Sequence, residues 1–158
     1  MVLVNEETNE RYKGLIEKLS EAEVEKLKGN SNFTFAWNEE QGALVYKLMI
    51  KGKKEILGLV SVADIREEFR LHINLLEASK KHRGKGKGIK NIPGCLLAFV
   101  CRVSFRKGYG GFVSLLPKTY LIDYYQKNYG FVQVGRQLAI FGNNSKVLVG
   151  KFLEDEEV

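Results

Sequence analysis

Residues 71–105 constrain the fold more than any other part of the chain. They run from an apolar, strand-like segment through a basic, glycine-rich loop into an apolar, helix-like segment (LHINLLEASKKHRGKGKGIKNIPGCLLAFVCRVSF). Glycine allows left-handed backbone conformations and close approach of the backbone to a ligand. Free backbone N–H groups before a helix N-terminus bind phosphate groups, and nearby cations strengthen the positive field. The order of these segments therefore predicts a β-strand, a diphosphate-binding loop and an α-helix.

Two common phosphate-binding motifs do not fit this loop. A Walker A loop has two glycines five positions apart followed by Lys and Ser or Thr, and no glycine of the loop begins such a pattern. The dinucleotide motif GxGxxG also fails. Its third glycine is replaced by Ile89 when counted from Gly84 and by Asn91 when counted from Gly86. The loop is therefore expected to belong to another class of phosphate-binding site.

The composition is typical of a folded globular protein. Hydrophobic residues make up 44% and charged residues 28% of 158 residues, which favours one domain covering residues 1–158. The formal net charge is +6, and six cations lie in the loop: Lys80, Lys81, Arg83, Lys85, Lys87 and Lys90. The excess of basic charge is therefore expected to lie largely at this one site. A pI near 9.2 also fits a nucleic-acid partner.

The cysteines and the N-terminus indicate a reducing compartment. Cys95 and Cys101 lie six positions apart in one predicted helix, where their side chains point in different directions. With two histidines and no CxxC or HExxH pattern, no metal site is expected. The N-terminus lacks the layout of a signal peptide, and no apolar run is long enough to span a membrane. We expect a cytoplasmic protein.

Apolar periodicity along the chain predicts alternating strands and helices without an internal repeat. Runs with helical spacing alternate with runs of β-branched residues, and glycine-containing turns lie between them. The predicted segments are helices over 5–29 with a capping box at 20–23, strands at 33–37, 43–50, 56–62 and 70–78, a helix from about 90 to 107, a strand at 112–116, a helix over 118–129, and strands at 131–141 and 146–153. The unit around the loop should form a right-handed parallel crossover.

Two motifs in this order resemble a known family. Arg83, Gly86 and Gly88 form Arg-x-x-Gly-x-Gly directly after an apolar strand, and residues 120–131 read YLIDYYQKNYGF. They resemble motifs A and B of the GNAT superfamily of N-acetyltransferases. The resemblance implies an α/β (α+β) acyl-CoA N-acyltransferase fold. Such a fold has a mixed central sheet with an antiparallel N-terminal meander, flanking helices, and a parallel strand pair that splays apart next to a bulge in the first strand.

The resemblance also implies a binding site for acetyl-CoA between the splayed strands. The backbone N–H of Leu76 would meet the thioester oxygen, and Ala78 would pair with the pantetheine arm. The amides of the glycine loop would bind the pyrophosphate. The cofactor-binding residues that follow from this alignment are Leu76, Glu77, Ala78, Arg83, Gly84, Lys85, Gly86, Lys87 and Gly88, together with Lys118, which replaces a frequent family asparagine.

The resemblance places the candidate catalytic residues on the strand and on the motif B helix. His72 stands four residues before Leu76, where several family members carry the Glu or His that takes the amine proton. Glu77 is either the alternative base or a solvated or salt-bridged residue of the strand. Simple alternation puts His72, Asn74 and Leu76 on one face of the strand until a bulge intervenes. Tyr125, or otherwise Tyr124, would protonate the leaving thiolate. His82 is expected to face solvent or the CoA phosphates.

Three hypotheses about function follow. The first is an acetyl-CoA-dependent N-acetyltransferase that acts by direct transfer on a primary amine of a small molecule or a protein. The second is a GNAT-like protein that binds CoA without catalysis, since the spacing from Tyr125 to Gly130 is one residue longer than is usual in the family. The third is a nucleic-acid-binding module that uses the basic loop. The sequence does not decide whether the protein forms a homodimer.

Overall fold

The strands and helices are known from a computed structural model that describes residues 1–84, 86–117 and 121–153. Eight strands and four helices lie in these ranges. In chain order they are β1 (Val2–Val4), β2 (Arg11–Lys18), α1 (Glu21–Glu25), β3 (Leu44–Ile50), β4 (Gly58–Ile65), β5 (Arg70–Ala78), α2 (Ile92–Arg106), β6 (Val113–Leu115), α3 (Ile122–Tyr129), β7 (Val132–Val134), β8 (Gln137–Ile140) and α4 (Gly142–Leu153).

The strands form one sheet in the order β1-β2-β3-β4-β5-β6-β8-β7. Strands β1 to β5 form an antiparallel meander, and the one parallel pair among the described strands joins β5 to β6. Strand β8 inserts between β6 and β7 and is antiparallel to both. The predicted mixed sheet with an antiparallel N-terminal meander and flanking helices is confirmed.

Both faces of the sheet are covered. Helix α2 packs on one face and buries Leu96, Leu97 and Val100 against β4 and β5. Helix α4 packs on α2, and a Cβ at Gly94 would lie 2.5 Å from the ring of Phe152, so this contact requires a glycine. The other face is covered by residues 19–37, including Trp37. The central strands are therefore buried between two layers of the chain.

The prediction of helices over residues 5–29 was wrong for most of that range. Residues 11–18 form β2, which pairs with β3, although Leu15, Ile16 and Leu19 fit a helical stripe. Pairing with a strand that lies far along the chain overrides weak local propensity. The capping box is confirmed, because Ser20 Oγ accepts from the Glu23 N–H at 3.2 Å and the Glu23 carboxylate accepts from the Ser20 N–H at 3.0 Å.

Two predicted strands were also wrong. Residues 33–37 form a loop that enters a short 3₁₀ turn (Trp37–Glu39), and the side chains of Phe33 and Trp37 are buried. Residues 146–153 belong to α4 rather than to a strand. Ser145 and Leu148 are buried three positions apart, a spacing that brings them to one side of a helix. Residues 131–141 form the β7–β8 hairpin.

Candidate cofactor and active site

A bulge in β5 decides which way its side chains point. Ile73 pairs with Val62 and Leu75 pairs with Ser61, so Asn74 is an extra residue in β5. Before the bulge Leu71 and Ile73 contact the core beneath α2, and after it Leu76 and Ala78 do so. The bulge therefore reverses the alternation. Consequently Leu76 does not share a face with His72, which corrects the expectation from simple alternation.

Beyond the bulge, one edge of β5 is open. Strand β6 pairs with β5 only at residues 71–73, and no other described strand takes over that edge for residues 74–78. The Ser79 N–H donates to the Leu57 carbonyl oxygen on the β4 side at 2.8 Å. Because backbone groups alternate along a strand, the N–H groups of Leu76 and Ala78 point to the open edge. The predicted splay of the parallel pair is thus present.

The glycine loop follows directly and holds anions on its backbone. Gly84, Gly86 and Gly88 have φ values of +97°, +69° and +65°. The Gly88 N–H donates to the Glu7 carboxylate at 3.1 Å, and the Gly86 N–H donates to the Glu6 carboxylate. Both of these backbone donors are thus engaged by negatively charged oxygen atoms. The loop therefore fits an anionic ligand on its amides. Lys85 lies outside the described residues.

His82 supports the loop from inside. Its Nδ1 accepts from the Ile89 N–H at 2.9 Å, and its Nε2 lies 3.2 Å from the Glu55 carboxylate. The side chain is only 12% exposed. A Cβ at Gly88 would lie 2.3 Å from His82 Nδ1, so this glycine is required for packing as well as for its backbone conformation. The expectation that His82 faces solvent or phosphates was wrong.

Glu77 and Arg83 form a partly buried ion pair at the end of β5. The Glu77 carboxylate also accepts from the N–H groups of Thr34 and Phe35 and from Trp37 Nε1, the last at 2.8 Å. Burial alone would raise the pKa of Glu77, but these hydrogen bonds outweigh it and leave the pKa below its usual value. Arg83 Nε donates to the Ala78 carbonyl oxygen at 2.9 Å. Glu77 thus fixes the loop of residues 33–37, which covers one face of the sheet and is called the covering loop below.

His72 lies at the other end of β5 in a polar cluster that the sequence did not reveal. Its Nδ1 is 2.8 Å from Ser114 Oγ on β6, and Arg70 Nη1 lies 2.6 Å from the same hydroxyl and 3.3 Å from His72 Nδ1. Burial, followed by the charge of Arg70, lowers the pKa of His72. The imidazole is therefore neutral at physiological pH, as a general base requires.

The tyrosines of α3 belong to an aromatic cluster. Tyr125 is half-buried, with its ring 5.9 Å from that of Tyr129 and 5.8 Å from that of Phe131. The hydroxyls of Tyr124 and Tyr129 are 3.2 Å apart. Burial, followed by the neighbouring Tyr124, raises the pKa of Tyr125. A raised pKa keeps the phenol protonated, as a proton donor requires. The structure does not describe Lys118.

Four residues of this region were not found from the sequence. Ser114 and Arg70 reach His72 through strand pairing, and Glu6 and Glu7 reach the loop from the β1–β2 turn. The β1–β2 turn has a local signal, since Asn5 Oδ1 accepts from the Glu7 N–H at 2.8 Å, an Asx-type contact. No local sequence pattern indicates that Ser114 contacts His72.

Solved structures of acetyltransferases are similar to this chain in fold. A mutant of the spermidine/spermine N-acetyltransferase SpeG from Vibrio cholerae is 14% identical, with a TM-score of 0.58 over 91% of this chain and 98% of the other. The IAA acetyltransferase from Bacillus cereus is 14% identical, with a TM-score of 0.55 over 82% and 99%. An acetyltransferase from Trypanosoma brucei is 19% identical, with a TM-score of 0.52 over 78% and 96%.

The sequence comparisons found no counterpart: no family model matches, and no curated protein matches significantly. Within the described ranges, no helix has the length and apolar character needed to cross a membrane. The same residues contain no group of three or more His, Cys, Asp or Glu side chains that could hold a metal ion. The similarity to the solved acetyltransferase structures thus shows a shared acyl-CoA N-acyltransferase fold.

Proposed function

We propose that this protein is an acetyl-CoA-dependent N-acetyltransferase that moves an acetyl group directly to a primary amine. The observation that carries the proposal is the continuity of β5 with the glycine loop. The open edge at Leu76 and Ala78 leads directly into a loop whose amides, at Gly86 and Gly88, already bind carboxylate oxygens. A long ligand with an amide-containing arm and a diphosphate matches both features.

In this proposal acetyl-CoA supplies an activated thioester, and the chain supplies binding groups and proton transfer. The Leu76 N–H donates to the thioester oxygen, where negative charge develops. The Ala78 N–H pairs with the pantetheine arm. The loop amides bind the diphosphate, with charge support from Arg83 and Lys87. The cofactor contacts that the sequence predicts for Lys85 and Lys118 remain predictions.

His72 serves as the general base for the acceptor amine. We assign the tautomer in which the Nδ1–H of His72 and the Arg70 guanidinium both donate to Ser114 Oγ, because this tautomer leaves the Nε2 lone pair to take a proton. The lowered pKa of His72 keeps Nε2 unprotonated at physiological pH. Tyr125, or alternatively Tyr124, returns a proton to the thiolate. Glu77 holds the covering loop rather than acting as the base.

A calorimetric titration with acetyl-CoA tests the proposal. We expect the native protein to bind and Gly86→Glu, which adds a negative charge to the loop, to lose binding. Gly135→Glu is the matched control, because Gly135 has a similar φ of +64° and also has open space where a Cβ would be, but lies in the β7–β8 turn. Equal binding by both variants, or no binding by the native protein, would contradict the diphosphate site.

Thiol release in the presence of amines tests catalysis separately. Spermidine belongs in the first panel, because the similar SpeG protein is a spermidine/spermine N-acetyltransferase. Small-molecule amines and peptides with a free amine complete the panel. We expect at least one acceptor to cause thiol release by the native protein. The His72→Gln variant lacks the imidazole nitrogen that takes the amine proton, so it should release no thiol.

A second candidate function is CoA binding without catalysis. The packing of Tyr125 among Tyr129 and Phe131 favours it, since an aromatic core residue is not free to serve the thiolate. This alternative predicts acetyl-CoA binding without thiol release for every acceptor. The nucleic-acid alternative predicts instead steep salt dependence of RNA or DNA binding and no affinity for CoA.

A further inference from the structure

The β1–β2 turn places two carboxylates on the glycine loop. Glu6 and Glu7 accept from the N–H groups of Gly86 and Gly88, across 80 and 81 residues of sequence. Hydrogen bonds from backbone N–H to a carboxylate are charge-assisted and stronger than neutral ones. Two donors of the loop are therefore engaged in the free protein by anions of its own chain.

The backbone of this turn is fixed independently of the two carboxylates. The Glu6 N–H donates to the Gly88 carbonyl oxygen at 2.8 Å, and the Lys90 N–H donates to the Val4 carbonyl oxygen at 3.1 Å. Leu3 in β1 is 1% exposed and anchors the strand in the core. The turn therefore stays docked if the carboxylates leave. Only two side chains need to rotate for the loop amides to become free.

Glu6 also borders a cavity beside the loop. Glu6 lines a cavity of about 200 Å³, together with Gly84, Lys87, Lys90 and the first residues of α2. Lysines around this cavity attract an incoming anion, whereas Glu6 repels it and engages a donor that the anion needs. The exposed side of the loop is thus accessible but already occupied at its amides.

We propose that Glu6 and Glu7 act as a built-in competitor of the diphosphate for the amides of Gly86 and Gly88. This inference rests on the proposed function of the loop. A tethered group has a high effective concentration, and it raises the apparent Kd of an external ligand by the inverse of the fraction of time that the amides are free. Cofactor binding displaces both carboxylates into solvent and leaves the turn in place.

The test measures the affinity of Glu6→Gln/Glu7→Gln for acetyl-CoA and for inorganic pyrophosphate by calorimetry. We expect both ligands to bind about tenfold more tightly than to the native protein, since a charged hydrogen-bond competitor is removed. The matched control is Glu10→Gln/Glu17→Gln, which removes the same charge from exposed positions of the same hairpin. Amide proton shifts of Gly86 and Gly88 in the double variant report the loss of the contacts directly.

The outcomes separate this inference from the proposed function. Unchanged or weaker binding by the double variant, with the native protein still binding acetyl-CoA, would overturn the competitor and leave the cofactor site standing. An equal gain in the control variant would reduce the effect to net charge and overturn it as well. Absence of binding by the native protein and by both variants would overturn the cofactor site and the competitor together.

Discussion

The two ends of β5 differ in what surrounds them, although both carry an ionisable residue with a lowered pKa. His72 lies before the Asn74 bulge, where β5 is paired on both sides, and contacts a serine and an arginine. Glu77 lies after the bulge, beside the open edge, and is saturated by hydrogen bonds from the covering loop. A carboxylate that accepts several hydrogen bonds serves structure, whereas a neutral imidazole keeps one unprotonated nitrogen that can take a proton.

Substitution of His72 should have the largest effect, and it should be on rate. We expect His72→Gln to lower kcat/KM by about 100-fold to 10,000-fold, the usual contribution of a general base. Its free energy of unfolding should change by less than about 1.5 kcal/mol, since mainly one hydrogen bond is affected. Steady-state kinetics and urea denaturation measure the two quantities. Unchanged kcat/KM would show that the two ends of β5 do not differ as we infer.

Substitution of Glu77 should have the next largest effect, and it should be on stability. Glu77→Ala leaves the Trp37 and Thr34 donors without an acceptor, so we expect a loss of about 3 kcal/mol in the free energy of unfolding. Glu68→Ala is the control at the opposite end of β5, because it breaks the more exposed pair with Arg70. That loss should stay below about 1 kcal/mol. Similar losses in urea denaturation would refute the contrast.

Acidification should affect the two ends in different pH ranges. The pKa of His72 is lowered from 6.5, so the fall in activity on acidification, as Nε2 becomes protonated, should be centred below pH 6.5. The pKa of Glu77 is lowered from 4.5, so its stabilisation is fully present above 4.5 and is lost as the pH falls through the folded-state pKa. We expect inactivation before unfolding. Coincident pH midpoints of kcat/KM and of circular dichroism would contradict this order.

Substitution of Ser114 should have the smallest effect. Ser114→Ala removes the hydroxyl that orients His72 and leaves Arg70 without that acceptor. We expect kcat to fall about fivefold, as for the loss of one hydrogen bond, while the KM for acetyl-CoA is unchanged. A rise in KM with constant kcat would indicate that Ser114 supports cofactor binding rather than the orientation of His72.

The parts of this fold that were predictable from sequence are those set by local chemistry. Strand β5 was predicted at residues 70–78 and is found at Arg70–Ala78, and the Ser20 capping box begins α1. The glycines of the loop adopt positive φ, which other residues rarely do. Each of these features depends on residues within a few positions of one another.

The remaining features depend on contacts between distant parts of the chain. Pairing with β3 made residues 11–18 a strand, and packing on α2 made residues 142–153 a helix. The Asn74 bulge, the contact of Ser114 with His72 over 42 residues, and the occupation of the loop by Glu6 have no local signature. The sequence thus determined that residues 80–90 form a glycine-rich basic loop. Only the tertiary structure decided that Glu6 contacts the loop and that Ser114 contacts His72, because these contacts join parts of the chain that are far apart in sequence.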